Sequence, residues 1–241
     1  MKINRFSITF WFNIVDDHKC LLEMLQKELN NEYQKFSVFN YNDNLLAPVI
    51  TAINSSKYTN LSISRVNLQY NMDKVSLEDL SSFNQMALAL FDILNKNNIE
   101  VCHTAAFINS EIIDENALSR ISKHTISSKL SNEDMVDMTL RLGKKHEDLF
   151  YKIITILNKK QMKLPKKVDE KGRLVPLPLI SWNGALVENE IIDISYEIND
   201  KYSYDFTKNY HTTEFYLNKM LYILSEEFQD DVESVLGDVK N

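Results

Sequence analysis

The strongest patterns in this chain lie between Asn60 and Ser110, where the sequence is NLSISRVNLQYNMDKVSLEDLSSFNQMALALFDILNKNNIEVCHTAAFINS. Apolar and polar residues alternate over 60–72, as in a half-buried strand, and 76–96 carries apolar residues at the three- and four-residue steps of a helix. Alternation returns over 99–109. The stretch therefore predicts a strand–helix–strand unit, and a slip in the alternation at Ser64-Arg65 predicts a β-bulge in its first strand.

The predicted helix of this unit has recognisable ends. Ser76 is a good N-cap residue with Asp79 three positions later, which resembles a capping box. Asn97 and Asn98 follow the last apolar position, and Asn tolerates the left-handed conformation that ends helices. Because the links to both strands are short, we expect a right-handed crossover if the two strands share a sheet.

Patterns of the same kind occur along the rest of the chain. Strict alternation over 6–14 predicts a first strand, and Asp16 or Asp17 is expected to cap the helix after it. Further strands are predicted at 33–40, 45–53, 136–142, 149–157 and 192–198, and further helices near 115–123 and from Thr212 or Thr213 to Val235. The segment 143–148 predicts a hairpin loop, and Asn183-Gly184 predicts a type I′ turn.

These elements indicate an α+β protein. Roughly nine strands and four helices predict a mostly antiparallel, twisted sheet with a central strand–helix–strand unit and a long C-terminal helix. We expect a single domain over 1–241. The alternative is an N-terminal lobe, 1–158, and a C-terminal lobe of hairpin plus helix, 179–241, joined by the Lys- and Pro-rich linker 159–178.

Composition is that of an ordinary globular chain. The 241 residues are 44% hydrophobic and 25% charged, and the net charge of −7 does not favour a general nucleic-acid or anionic-membrane binder. No signal peptide and no bilayer-spanning run are recognised, so a cytoplasmic location is expected. Cys20 and Cys102 lie in apolar-periodic segments and are expected to be reduced and buried.

One family resemblance is carried by short motifs. Phe107-Ile108-Asn109 ends the strand after the long helix, Ile191-Ile192-Asp193-Ile194 forms a late strand, and 217–228 forms the C-terminal helix. In this order of elements the chain resembles a sporadically distributed family of uncharacterised bacterial proteins of about this size. Ala106 stands where that family favours a basic residue. The resemblance implies a fold and no particular activity.

Sequence motifs for chemistry are scarce. There is no P-loop, no dinucleotide fingerprint, no His-Glu-x-x-His and no Gly-x-Ser-x-Gly elbow. Cys102 and His103 are neighbours on a predicted strand, so their side chains are expected on opposite faces. The densest group of metal-ligand types is Asp16, Asp17, His18 and Cys20, whose spacing fits no zinc pattern. We therefore predict no catalytic residue, metal or cofactor, and leave enzymatic activity open.

Charge is distributed unevenly along the second half of the chain. Segment 141–173 has eleven basic and four acidic residues, a net charge of +7, whereas 182–241 has thirteen acidic and four basic residues, a net charge of −9. The basic segment could recognise phosphates. Its candidate nucleic-acid-binding residues are Lys144, Lys145, Lys159, Lys160, Lys163, Lys166, Lys167, Lys171 and Arg173.

Aromatic residues cluster just before the last predicted helix. Tyr196, Tyr202, Tyr204, Phe206 and Tyr210 are the candidate partner-binding residues. The preferred hypothesis is a non-enzymatic cytoplasmic protein that docks a protein partner on an exposed sheet edge or on this aromatic segment. Nucleic-acid binding through the lysines is the alternative, and a metal-assisted enzyme is the second alternative. A homo-oligomer is compatible with each of these hypotheses.

Overall fold

The computed structural model describes residues 1–41, 43–114, 116, 121, 139–146, 150–163, 186–200 and 211–237, the side chains of 159–163 and 186–189 excepted. The strands are β1 (Lys2–Phe12), β2 (Phe36–Val38), β3 (Ile50–Asn54), β4 (Thr59–Ile63), β5 (Asn67–Asp73), β6 (Val101–Ile113), β7 (Thr139–His146), β8 (Phe150–Lys163) and β9 (Leu186–Asn199). The α-helices in these ranges are α1 (Lys19–Glu28), α2 (Leu80–Lys96), α3 (Glu214–Glu226) and α4 (Phe228–Leu236). The predicted α+β class is confirmed.

The nine strands form one antiparallel sheet in the order β2-β3-β4-β5-β1-β6-β9-β8-β7. Its two halves, which meet between β1 and β6, are built alike. In each half the strand nearest the centre, β1 or β6, comes first along the chain. The strands that follow begin at the outer edge and proceed inwards, and the last of them, β5 or β9, pairs with that first strand. A helix follows that last strand in both halves, α2 after β5 and α3 after β9. Strand β2 is an addition to the first half.

The predicted strand–helix–strand unit is β5, α2 and β6. Both strands pair antiparallel with β1, which lies between them, so β5 and β6 run parallel to each other in one sheet. The predicted capping box is present, because the main-chain N–H of Ser76 donates to Asp79 Oδ2 at 2.8 Å. Asn98, just beyond α2, has the expected left-handed conformation with a φ of 56°.

One face of the sheet packs against the helices. Phe6 and Phe10 of β1 contact Phe83 and Phe91 of α2, with ring centroids 5.5 and 5.9 Å apart. Both β1 rings are fully buried, and burial of such a side chain contributes about 2 to 3 kcal/mol. The opposite face, here called the open face, carries the intervening residues of the strands. Ser7 and Thr9 of β1 lie on it, next to Asn71 and Gln69 of β5.

The predicted β-bulge at Ser64-Arg65 is wrong, because the chain turns back there. β4 ends at Ile63 and β5 begins at Asn67, and the two strands pair antiparallel. The Ser64 hydroxyl accepts the N–H groups of Val66 and Asn67 at 3.2 and 3.0 Å, which closes the turn. A tight hairpin shifts the apolar alternation as a bulge does, so the pattern alone does not separate the two.

Several predicted loops and strands have different limits. The predicted loop 143–148 overlaps β7, which continues to His146, and the predicted linker 159–178 overlaps β8, which pairs with β9 as far as Lys163. Polar and basic side chains do not interrupt main-chain pairing, which explains both errors. The predicted strands 33–40 and 45–53 shorten to β2 and β3. Asn183-Gly184, 164–178 and most of 115–123 lie outside the described residues.

The C-terminal helical segment is divided in two. Thr213 is the N-cap of α3, where its side chain accepts the N–H of Tyr216 at 3.3 Å. Glu227 separates α3 from α4, so the predicted long helix is present as two consecutive helices. The two cysteines also differ from expectation, since Cys20 is exposed and Cys102 is partly exposed. Amphipathic periodicity did not place Cys20 correctly because it lies just outside the apolar stripe of α1, beside the buried Leu21.

Candidate docking site at the β2 edge

Strand β2 pairs with β3 on one side and ends the sheet on the other. The N–H of Phe39 donates to the carbonyl of Val49 at 2.9 Å, and Val38 is paired with Ile50. Because main-chain groups of a strand point alternately to its two sides, the N–H and C=O of Val38 point away from β3. Val38 thus presents both main-chain groups at the outer edge of the sheet.

Apolar side chains are exposed next to this edge. Val38, Phe39 and Tyr41 are 61%, 51% and 47% exposed, and they lie within four consecutive positions. Single exposed apolar residues are common, whereas a group of them on adjacent positions marks an interaction surface. No charged residue and no proline lies in β2 or at Phe39–Tyr41, so two of the usual protections of an edge strand are missing, and the short length of β2 is the one that remains.

A cavity of about 330 Å³ opens beside these side chains. It lies between the start of α1 and the segment that follows β2, and its lining is Asp17, His18, Lys19, Leu22, Val38, Phe39, Asn40, Tyr41, Val49 and Ile50. A cavity of this size accommodates one or two side chains of a ligand. The β2 edge and this cavity are together called the edge site.

The rim of the edge site is held by His18. Its Nδ1 is 2.8 Å from the hydroxyl of Tyr41, and its Nε2 is 3.1 Å from the carbonyl oxygen of Ser64. Since a carbonyl can only accept, Nε2 carries the proton and Nδ1 accepts from Tyr41. Burial of the ring lowers the pKa of His18 below its ordinary value of 6.5, although the hydrogen bond to Ser64 acts in the opposite direction. The guanidinium of Arg65 lies over the Tyr41 ring, 5.7 Å from its centroid.

The other edge of the sheet is different. Strand β7 carries Arg141, Lys144 and Lys145, all of them exposed. Basic side chains on an edge strand discourage pairing with another chain. Of the nucleic-acid-binding candidates, Lys144 and Lys145 lie on this edge strand, β7. Lys159, Lys160 and Lys163 belong to β8 by their main chain, and Lys166, Lys167, Lys171 and Arg173 lie outside the described residues.

Tyr196, the first residue of the predicted aromatic surface, does not lie at the surface. Tyr196 on β9 is fully buried, its ring is 5.4 Å from that of Phe228, and its hydroxyl donates to Asp231 Oδ2 at 2.7 Å. Burial, together with this hydrogen bond, raises the pKa of Tyr196. The structure therefore removes Tyr196 from the partner-binding set, because its side chain joins the sheet to α4. Tyr202, Tyr204, Phe206 and Tyr210 lie outside the described residues.

A buried ion-pair network adjoins Tyr196. Lys152 on β8 is 4% exposed, and its Nζ donates to Glu227 Oε2 at 2.7 Å and to Asp231 Oδ2 at 2.5 Å. Burial lowers the pKa of Lys152, but its hydrogen bonds to the two carboxylates outweigh burial and raise it. The Lys152 ammonium is bonded to two carboxylates of the same chain, Glu227 and Asp231, so this network fastens α4 to the sheet. Sequence reasoning missed it, because the partners lie 75 and 79 positions apart.

A buried carboxylate, that of Asp200, lies directly after β9. Asp200 accepts from the N–H of Thr104 at 2.9 Å and from the hydroxyl of Thr212 at 2.6 Å, and its Oδ1 is 2.5 Å from His103 Nδ1. His103 also stacks on Trp11, with ring centroids 5.0 Å apart. Asp200 thus joins the end of β9 and Thr212, just before α3, to β6. Sequence reasoning missed Asp200 as well.

The predicted ligand-rich segment 16–20 has structural partners. Asp16 forms an ion pair with Arg65, and Asp17 Oδ1 accepts the N–H of Lys19 at 2.8 Å. Over the described ranges, no three His, Cys, Asp or Glu side chains come together as metal ligands would. The helices that the structure describes are also too short or too polar to cross a membrane.

Comparisons with known proteins add little. No family model matches this chain, and no curated protein matches it significantly. Among solved structures, Methanococcus jannaschii TBP aligns over 95% of this chain and 98% of that chain, with 12% identity and a TM-score of 0.28. A likeness at that score carries no argument about this chain. The resemblance to uncharacterised bacterial proteins stays a prediction.

Proposed function

We propose that this protein is a protein-interaction module that docks an extended, apolar segment of a partner protein at the edge site. The single observation that supports the proposal most strongly is the outer edge of β2, where the main-chain groups of Val38 are paired with no other described strand. An added strand would bond to those groups, and its side chains would meet Val38, Phe39 and the cavity. Main-chain pairing then supplies affinity, and the cavity supplies specificity.

The rim residues favour an ordered site. Because His18 and Arg65 both contact Tyr41, the ring is held before a partner arrives. Less side-chain entropy is then lost on binding. The cavity lining carries one acid, Asp17, and one base, Lys19, and Arg65 at the rim is paired with Asp16, so the site has little net charge, which favours an uncharged, apolar peptide over a polyanion.

The proposal is tested with Val38→Pro. Proline removes the outward N–H of Val38 and is tolerated on a strand whose N–H faces solvent, so the fold is expected to persist. Extended peptides are first selected against the wild-type protein from a random display library. We expect V38P to weaken the selected peptides about tenfold or more, and the matched V38T variant, which keeps the N–H, to bind almost as well as wild type. Selected peptides that bind V38P and wild type equally contradict the proposal.

Nucleic-acid binding is the second candidate, and the row of Arg141, Lys144 and Lys145 on β7 favours it. The affinity for nucleic acid falls steeply as salt is added, whereas the affinity of strand addition changes little with salt. A filter-binding assay with single-stranded and duplex DNA at two salt concentrations separates the candidates. Reversing all three charges to Glu abolishes DNA binding under this second candidate and leaves peptide binding at β2 intact.

A further inference from the structure

A second depression lies on the open face of the sheet, away from the edge site. Its volume is about 690 Å³, and the side chains that shape it are Thr51, Ile53, Tyr58, Asn60, Ser62 and Lys74. Thr51, Asn60 and Ser62 come from the middle of β3 and β4 and form its floor. Ile53, which is 70% exposed, and Tyr58 form its walls.

The floor is a set of uncharged hydrogen-bonding groups that continues across the neighbouring strands. Asn71 Nδ2 donates to Asn60 Oδ1 at 2.8 Å, and Asn71 Oδ1 in turn accepts from the hydroxyl of Ser7 and from Gln69 Nε2. These bonds fix the orientation of the Asn60 amide. An amide offers donors and an acceptor side by side, and hydroxyl groups of Thr51 and Ser62 do the same. Such a floor matches a ligand whose groups also donate and accept.

The charges around the depression are compensated within the protein. The charged side chains of its lining are one acid, Asp73, and one base, Lys74. Asp73 also forms an ion pair with Arg5, while Lys74 Nζ lies 3.9 Å from the centroid of the Tyr58 ring and keeps its charge. Little net charge is left to attract an ion, which favours a neutral ligand over a polyanion. An exposed apolar and aromatic wall beside a neutral polar floor suits a molecule with both C–H faces and hydroxyl edges.

The backbone at one end of the depression is strained. Tyr58 and Lys74 both have left-handed conformations, with φ of 53° and 55°, and neither is glycine. The two are adjacent in space, because the N–H of Asp73 donates to the carbonyl of Tyr58 at 2.9 Å. Residues other than glycine in such conformations cost free energy and tend to occur where a side chain must be presented to a ligand.

We propose that this depression binds a neutral, hydroxyl-rich ligand of the oligosaccharide class, whose C–H groups lie against the walls formed by Ile53 and Tyr58 and whose hydroxyls are bonded to Asn60 and Ser62. The site is independent of the edge site, since it lies on the open face of β3 and β4, whereas the edge site is on the helix side of β2.

The test is calorimetric titration of the full chain with soluble linear glucans, chitooligosaccharides and galactooligosaccharides at millimolar concentration. An oligouronate and single-stranded DNA are the charged comparators. We expect at least one neutral oligosaccharide to bind, and Tyr58→Gly and Asn60→Ala each to weaken it about tenfold or more. Tyr58→Gly relieves the positive φ, so its melting temperature should equal or exceed that of wild type. Gln26→Ala, at an exposed amide on α1, should bind like wild type.

Three outcomes overturn the proposal. The first is that none of the neutral oligosaccharides binds. Binding only of a charged comparator, lost at high salt, is the second and points to electrostatic recognition instead. The third is a neutral oligosaccharide that binds Tyr58→Gly and Asn60→Ala as tightly as wild type, since the ligand then lies elsewhere on the protein.

Discussion

His18 illustrates how a buried side chain holds an exposed one. Its two ring nitrogens are used by Tyr41 and by the carbonyl of Ser64, which are 23 and 46 positions away along the chain. In the neutral imidazole Nδ1 accepts from the Tyr41 hydroxyl, whereas a protonated Nδ1 donates to the hydroxyl oxygen, so protonation reverses the direction of this bond. The geometry of the edge site is therefore linked to the protonation state of one residue.

This link predicts a pH dependence. Because burial lowers the pKa of His18 below 6.5, the folded state resists protonation while the unfolded chain accepts it. Above pH 6.5 the contribution to the free energy of unfolding is constant, and it decreases as the pH falls below that value. We expect the stability advantage of wild type over His18→Gln, measured by urea unfolding, to shrink between pH 7 and pH 5. An advantage that stays constant or grows contradicts the assignment.

Single residues were also where sequence reasoning succeeded least. Tyr196 was grouped with its aromatic neighbours as a surface residue, yet it alternates with other inward positions of β9 and is fully buried. The partners of Lys152 and Asp200 could not be identified, because periodicity reports which face a residue occupies and not which distant residue it meets. His18 was noticed for its ligand chemistry, and its actual role depends on the Ser64 turn.

At the level of elements, Asp200 connects β9, β6 and the start of α3. Its carboxylate is fully buried and accepts from both strand and loop groups, so it is a strong point of attachment. Hydrogen bonds to a buried charged group contribute more than ordinary ones, about 1.5 to 3 kcal/mol each.

Replacement of Asp200 should therefore be costly. We expect Asp200→Ala to lower the free energy of unfolding by about 3 kcal/mol, because Thr104 and Thr212 lose their acceptor in a buried setting. Asp92→Ala removes an exposed helical pair with Lys96 and should change the free energy of unfolding far less. Chemical denaturation of both variants provides the comparison. Equal effects of the two substitutions would show that Asp200 is not an anchor.

Elements with regular periods were predictable, and the connections between them were not. The strand–helix–strand unit was correct because β5, α2 and β6 each carry apolar stripes and a capping box begins the short 3-10 turn Leu77–Asp79 that leads into α2. The hairpin at Ser64 was missed because its turn lacks glycine and proline, and its closure depends on one hydroxyl. The β2 edge could be suspected from the uncharged sequence of 36–41, but its place at the end of the sheet follows only from topology.

At the scale of the molecule, the sheet is most secure at its centre. β1 and β6 are paired on both sides and lie under α2 and α3 respectively, whereas β2 is three residues long and paired on one side. Hydrogen exchange followed by mass spectrometry should therefore show greatest protection in β1 and β6, and least in β2 among the described strands. A peptide bound at the edge site should raise protection in β2 first. Protection of free β2 that equals that of β1 would contradict an open edge.

The likeness of the two halves was invisible in the sequence. Each half needs only alternating apolar residues in its strands, and many different residues meet that need, as the pairing of Ile8 with Ala106 across the centre shows. The candidate sites break this similarity. β2 has no counterpart in the described second half, and β8, the strand that corresponds to β4, has Ile153 and Thr155 on the face where β4 has Asn60 and Ser62.

The unequal edges of the sheet limit how copies of this chain can join. Of the two edge strands that the structure describes, β7 carries the exposed Arg141, Lys144 and Lys145, which disfavour pairing with a second copy, so β2 is the edge suited to strand addition. Two β2 strands that pair with each other use up both free edges at once. Growth through the sheet therefore stops at a pair, and a crowded solution of this protein should not extend into fibres by that route.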